Sequence, residues 1–182
     1  RYWGDSAFIY STLTKKYGYR DAHIFALVSD GTDPGNDRDI GSKNNPIYDN
    51  SPTDLDGDGD VDTDFACTKA NIQTVFNTLA GILTTNDQLF VFVTDHGGQE
   101  SGWDAVIWLW GGGTLADDEL LDMTIDLPCP VMFAMETCYS GGFVDDLGQD
   151  NQVIATACAY NDTSVAGTTF PTYDQWAYYF PA

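Results

Sequence analysis

The stretch Leu89-Phe90-Val91-Phe92-Val93-Thr94-Asp95-His96-Gly97-Gly98 runs five apolar residues into a histidine and then two glycines. A second stretch repeats the pattern with a thiol: Val131-Met132-Phe133-Ala134-Met135-Glu136-Thr137-Cys138-Tyr139-Ser140-Gly141-Gly142. Continuous apolar runs of this length predict strands covered on both faces, the setting of a parallel sheet. In such a sheet, ligands sit outside the carboxyl ends of the strands. The two runs therefore bring a base and a thiol to one rim. The thiolate is the nucleophilic form of cysteine, and a positioned imidazole can take its proton. The pair predicts a cysteine endopeptidase.

Outward from these strands, the pattern alternates between helix and strand. Trp3, Ala7, Tyr10, Leu13 and Tyr17 fall on one helical face, with Gly18 as the stop. Residues 22–28 read as a short strand, and 30–64 as a long polar loop rich in Gly, Pro, Asn and Asp. Ile72, Val75, Phe76 and Leu79 mark a second helix over 68–83. Strands follow at 89–94, 105–110, 131–136 and 152–157, with a helix over 117–127 opened by Asp117, Asp118 and Glu119. Residues 158–172 read as a loop, and the last residues as a helix cut short. The alternation predicts a three-layer αβα sandwich around a mostly parallel sheet. The 182 residues suit a single domain. The chain opens on Arg1 rather than Met, so the expectation is a piece shortened at both ends.

Composition limits the partners. With 28 acidic and 7 basic residues, the formal net charge is −21. That argues against a nucleic-acid backbone or an anionic membrane surface, both of which need clustered Lys and Arg. No apolar run approaches the length of a membrane span. The cysteines, Cys67, Cys129, Cys138 and Cys158, form no C-x-x-C pair, so no structural zinc site is expected and the thiols are read as reduced. No organic cofactor is expected. Of the two histidines, His23 sits in an apolar pattern and reads as structural, leaving His96 as the base. Ser140 lacks a G-x-S-x-G elbow and is set aside as a nucleophile.

The segments Thr94–Gly98 and Glu136–Gly142 resemble the legumain branch of the caspase-like cysteine peptidases. That family carries His-Gly after one strand and Glu-x-Cys-x-Ser-Gly after the next long one. The 42-residue separation of His96 and Cys138 suits it. Residues 1–10, 112–120 and 155–164 resemble further segments of the family. The resemblance implies a caspase-like fold that lacks its first strand here, together with an Asn that the family places near the catalytic histidine. It implies that Cys138 attacks the scissile carbonyl and His96 protonates the leaving amine, with the amides of Gly97 and Cys138 as oxyanion donors. It places Arg1, Glu136, Thr163 and Ser164 at the specificity pocket, with cleavage after Asn or Asp in a protein or peptide substrate. A transpeptidase or ligase using the same dyad is the near alternative; an inactive caspase-like binding module and a calcium-dependent adhesion module are the distant ones. Oligomeric state stays open.

Residues 54–64 carry a separate signal. Asp54, Asp56, Asp58, Asp60 and Asp62 alternate with Leu, Gly, Gly and Val, matching the opening of a calcium loop. Position 12 of that pattern is Phe65 rather than Glu, so the loop is not a complete EF-hand. Structural calcium is expected there. Loops of this kind bind weakly enough to suit extracellular calcium, so a secreted or otherwise extracytoplasmic setting is expected.

Overall fold

The computed structural model describes residues 2–41, 44–165 and 173–180. They fall into two compact units, Arg1–Asn71 with Ala166–Ala182, and Ile72–Val165. Arg1 lies outside the described residues.

In the first unit, helix α1 spans Tyr2–Lys15, one residue longer at its start and two shorter at its end than the apolar spacing predicts. Gly18, left-handed at φ +73°, turns the chain away behind it. Ala7 and Tyr10 of α1 share a core with Ala26, Val28 and Leu55. The C-terminal helix α5, Gln175–Tyr179, packs on α1 through aromatic rings: Phe8 lies 5.0 Å from Tyr173 and 5.6 Å from Tyr178. The Asp174 amide donates to Asp5 Oδ1 at 2.7 Å.

The expected strand over 22–28 shrinks to β1, Ala26–Leu27. Residues Asp21–His23 instead coil into a 3-10 turn, with Ile24 N–H donating to the Asp21 carbonyl at 2.8 Å. All three are exposed, so no buried sheet face competes with the turn. The long loop is also less irregular than its composition suggests. It holds an antiparallel pair, β2 (Arg38–Asp39) and β3 (Tyr48–Asp49), joined by a bidentate Arg38–Asp49 ion pair at 3.0 and 2.8 Å. It ends in β4, Thr63–Phe65, which pairs in parallel with β1. Strand β4 carries no apolar run because a side chain supplies part of its pairing: Asp64 Oδ2 accepts the Ala26 amide at 2.8 Å.

Helix α2, Lys69–Ile82, buries Val75, Phe76 and Leu79 as its spacing predicts. The second unit is built on a parallel sheet of β5 (Leu89–Thr94), β9 (Val131–Glu136) and β10 (Gln152–Thr156), in the order β10-β9-β5. Central β9 is the deepest, with Phe133, Ala134 and Met135 at 0% exposure. Cys129, just ahead of it, is sealed at 1% exposure. Burial, reinforced by the charge of Asp87, pushes its thiol pKa up.

The expected strand over 105–110 is shorter and belongs elsewhere. Strand β7, Ala105–Trp108, is the middle of an antiparallel sheet with β6 (Gly97–Gln99) and β8 (Thr114–Ala116). Short connections favour this hairpin arrangement, since a parallel return needs a crossover of a dozen residues or more. Helix α3, Asp117–Thr124, stops three residues earlier than predicted. The short α4, Val144–Leu147, follows the cysteine turn. The fold is thus mixed α/β with its longest strands parallel.

Candidate active site

Strands β5 and β9 pair in register from Leu89↔Val131 to Thr94↔Glu136. His96 and Cys138 each stand two residues beyond that last pair. The loops they occupy touch. A Cβ built on Gly97 would collide with the Cys138 carbonyl oxygen and would lie 3.0 Å from both the Cys138 carbonyl carbon and Thr137 Cβ. Only glycine fits there, so the backbone after the histidine lies against the backbone of the cysteine.

His96 is exposed, and its ring lies 5.8 Å from that of Trp108 at a tilt of 58°. The Trp108 amide donates to the His96 carbonyl at 3.0 Å, tying the histidine to the hairpin sheet. The His96 amide donates to Asp95 Oδ1 at 2.5 Å. Burial pushes the Asp95 carboxyl pKa up, while that amide and the His96 charge pull it down.

Cys138 is half-buried and opens onto a 3-10 turn, Ser140–Phe143. Tyr139, between them, is left-handed at φ +60°, ψ +16°. For a residue with a side chain this costs about 1–2 kcal/mol. Two backbone bonds hold it: Tyr139 N–H to the Asp162 carbonyl at 2.8 Å, and Gly142 N–H to the Tyr139 carbonyl at 2.9 Å. Ser140 is fully buried, and its Oγ accepts the Cys158 amide at 3.3 Å. A hydroxyl so enclosed cannot meet a substrate, in keeping with the missing elbow. The Cys158 thiol shares its one S–H between the carbonyls of Thr137 at 3.3 Å and Asp162 at 3.4 Å. The segment after β10 therefore braces the cysteine turn from below. Cys129, Cys138 and Cys158 are free thiols.

The remaining predicted residues have varied settings. Glu136 ends β9 at 1% exposure. Thr163 is exposed, with its amide on Asp162 Oδ1 at 2.7 Å, and Ser164 is half-buried. His23 is exposed, its Nε2 2.8 Å from Arg20 Nη2. Sequence reasoning missed the aromatic groups beside the site. Trp108 faces His96, and the Trp103 and Tyr160 rings meet at 3.6 Å. Trp103, Tyr160, Gly141, Val144 and Cys158 line a cleft of about 410 Å³ beside the cysteine turn. Tryptophans scattered through a glycine-rich segment were the available signal.

A family model described as the Peptidase C13 family matches residues 2–180. The chain belongs to the peptidase C13 family. This is the legumain family, known for the caspase-like fold, and it makes the chain a member of a cysteine-peptidase family with protein substrates. Among curated proteins, none matches the chain significantly. Among the described residues of this C13 chain, no helix is long and apolar enough to cross a membrane.

The acidic loop of the C13 chain lies in the first unit. Oxygens of Asp54, Asp56 and Asp58 come within 4.8 Å of one another. Loop amides shape this arrangement: Gly57 and Gly59 donate to Asp54 at 2.6 and 3.0 Å, and Asp58 donates to Asp56 Oδ1 at 3.2 Å. Asp60 stays exposed. Asp62 turns inward at 6% exposure, its Oδ2 accepting the amides of Leu55 at 2.6 Å and Asp56 at 3.3 Å. Converging carboxylates with free lone pairs, and no nitrogen or sulfur donor, fit a hard cation such as calcium.

In the second unit Asp117 is 2% exposed, and its carboxylate lies within 4.8 Å of those of Asp145 and Asp146. Burial raises the carboxyl pKa of both Asp117 and Asp146, and the crowded charges add to the effect. A carboxyl whose folded pKa is raised binds its proton more tightly folded than unfolded. Its ionisation therefore weakens the fold as pH climbs from the ordinary carboxylate range through the raised value. Thermal melts in calcium-free buffer should give a higher Tm near pH 5 than at pH 7.5, and Asp146→Asn should flatten the difference.

Proposed function

We propose that the chain is a cysteine endopeptidase in which Cys138 is the nucleophile and His96 the acid/base. The supporting observation is the in-register pairing of β5 and β9, with Gly97 pressed on the Cys138 carbonyl. In this reading the Cys138 sulfur attacks the scissile carbonyl to form a thioester, and His96 hands the proton to the leaving amine. The amides of Gly97 and Cys138 stabilise the oxyanion. Thr163, Ser164 and Arg1 shape the pocket for the residue before the cut, which is Asn or Asp, and the buried Glu136 supports that pocket without touching the substrate. Arginine suits that pocket because its fork of donors matches an amide or carboxylate. A peptide library scanned at that position tests the preference; dominant cleavage after Lys or Arg rejects it. Water or an amine can take the thioester, so products analysed with an added amine nucleophile separate hydrolase from ligase. A peptidyl probe that labels the complete protein excludes the inactive binding module.

We further propose that Asp54, Asp56 and Asp58 bind structural calcium, with Asp60 or Asp62 completing the set, which suits an extracytoplasmic enzyme. At calcium tenfold above a millimolar-range Kd, linkage gives about 1.4 kcal/mol of added stability. For a chain of this size that is roughly 3–6 °C in Tm. Calorimetry with calcium chloride, and melts with and without chelator, are the measurements. No heat of binding and no Tm change would end the proposal.

A further inference from the structure

A second group of oxygens in the first unit is poorly served by the protein itself. Asp30 lies just past the carboxyl end of β1, Asp37 just before β2, and Ser51 just after β3. The Ser51 amide donates to Asp37 Oδ1 at 2.6 Å, and the Asp37 amide donates to the Asp49 carbonyl at 3.0 Å. The negative charges of Asp37 and Asp33 both bear on the Asp30 carboxyl. Yet Asp30 Oδ1, Asp37 Oδ2 and the Ser51 hydroxyl oxygen are all sealed from solvent, with no hydrogen-bond partner among the described residues. Ser51 is 5% exposed, and its hydroxyl is buried beside the carboxylate that its own amide holds.

Such an arrangement is costly as it stands. Each orphaned buried oxygen carries a desolvation penalty, and two facing carboxylates repel. Burial, and then Asp37, push the Asp30 carboxyl pKa upward, the direction expected of a carboxylate that lacks a counter-charge. The donor set is all oxygen, drawn from carboxylates and a hydroxyl, which is what a hard divalent cation takes.

We propose that Asp30, Asp37 and Ser51 hold a divalent cation of the calcium class, separate from the Asp54–Asp58 loop. The ion satisfies the three orphaned oxygens at once and cancels the repulsion between the carboxylates. It also pins the β2–β3 hairpin to the carboxyl end of β1, so its role is to fix the long loop from a second point.

The test uses the whole chain, stripped with chelator, with calcium chloride as the probe. In a variant carrying Asp54→Asn, Asp56→Asn and Asp58→Asn, calorimetry should still register one bound calcium, and calcium should still raise Tm. Adding Asp30→Asn and Asp37→Asn should abolish both responses. Calcium bound by the unaltered chain but lost entirely in the triple variant overturns this site while leaving the Asp54–Asp58 site standing. Ser51→Ala guards against a misfolded double variant: in the triple-variant background it should weaken calcium binding at least several-fold, with the calcium-free Tm nearly unchanged. Unaltered affinity in that variant also overturns the proposal. A pair that merely shares a proton would give no calcium heat and a Tm that responds to pH alone, which refutes the site as well.

Discussion

Cys138→Ala should abolish peptide cleavage, with kcat/KM falling about 10⁴-fold or more, the scale seen when a catalytic nucleophile is removed. The argument rests on placement. Cys138 is half-buried at the carboxyl end of the central strand, where a substrate can reach it. Of the other thiols, Cys129 is sealed, and Cys158 is committed to carbonyls beneath the turn. His96→Ala should cost roughly 10²–10⁴-fold through loss of acid/base transfer, and close to the full loss if the dyad acts as a unit. His23→Ala should leave turnover intact, since that ring lies exposed on a 3-10 turn of the other unit. The measurements are steady-state cleavage of an Asn- or Asp-containing peptide and covalent labelling by a thiol-reactive peptide probe. Labelling that survives in Cys138→Ala would refute the assignment.

Gly97→Ala should be nearly as damaging, although it removes no reactive group. Its methyl would overlap the Cys138 carbonyl oxygen and crowd Thr137. Neither neighbour gives way easily. Thr137 is fully buried, and Tyr139 is fastened to Asp162 and Gly142. The two loops must therefore separate. Overpacking of this kind costs about 1–3 kcal/mol of stability. A displacement near 1 Å between reacting groups costs roughly 10²-fold in rate. Kinetics and thermal melts on the same sample measure both. Wild-type kcat/KM and Tm in this variant would mean that the loops are not in contact.

The placement of His96 and Cys138 just beyond two paired strands was legible because each follows an uninterrupted apolar run, and burial on both faces demands such a run. The same logic hid β4, whose Asp64 replaces apolar patterning with a side-chain bond to Ala26. It misread residues 22–28, where Ala26 and Val28 are buried in the core and Ile24 packs against it, while Ala22 and His23 stay exposed. It also gave 105–110 no partner, because pairing within a hairpin sheet depends on turn geometry that composition does not encode. Ser140 was set aside for want of a motif, whereas its burial against Cys158 supplies the stronger reason. The orphaned oxygens of Asp30, Asp37 and Ser51 were invisible beforehand, since no sequence pattern marks which polar oxygens the fold will seal without a partner.

Cys129 offers a built-in clock. With its sulfur enclosed and its proton held tightly, an alkylating reagent can consume it only during moments when the start of β9 comes loose. The rate of that slow modification, followed by mass spectrometry beside that of the half-buried Cys138, would time the breathing of the parallel sheet.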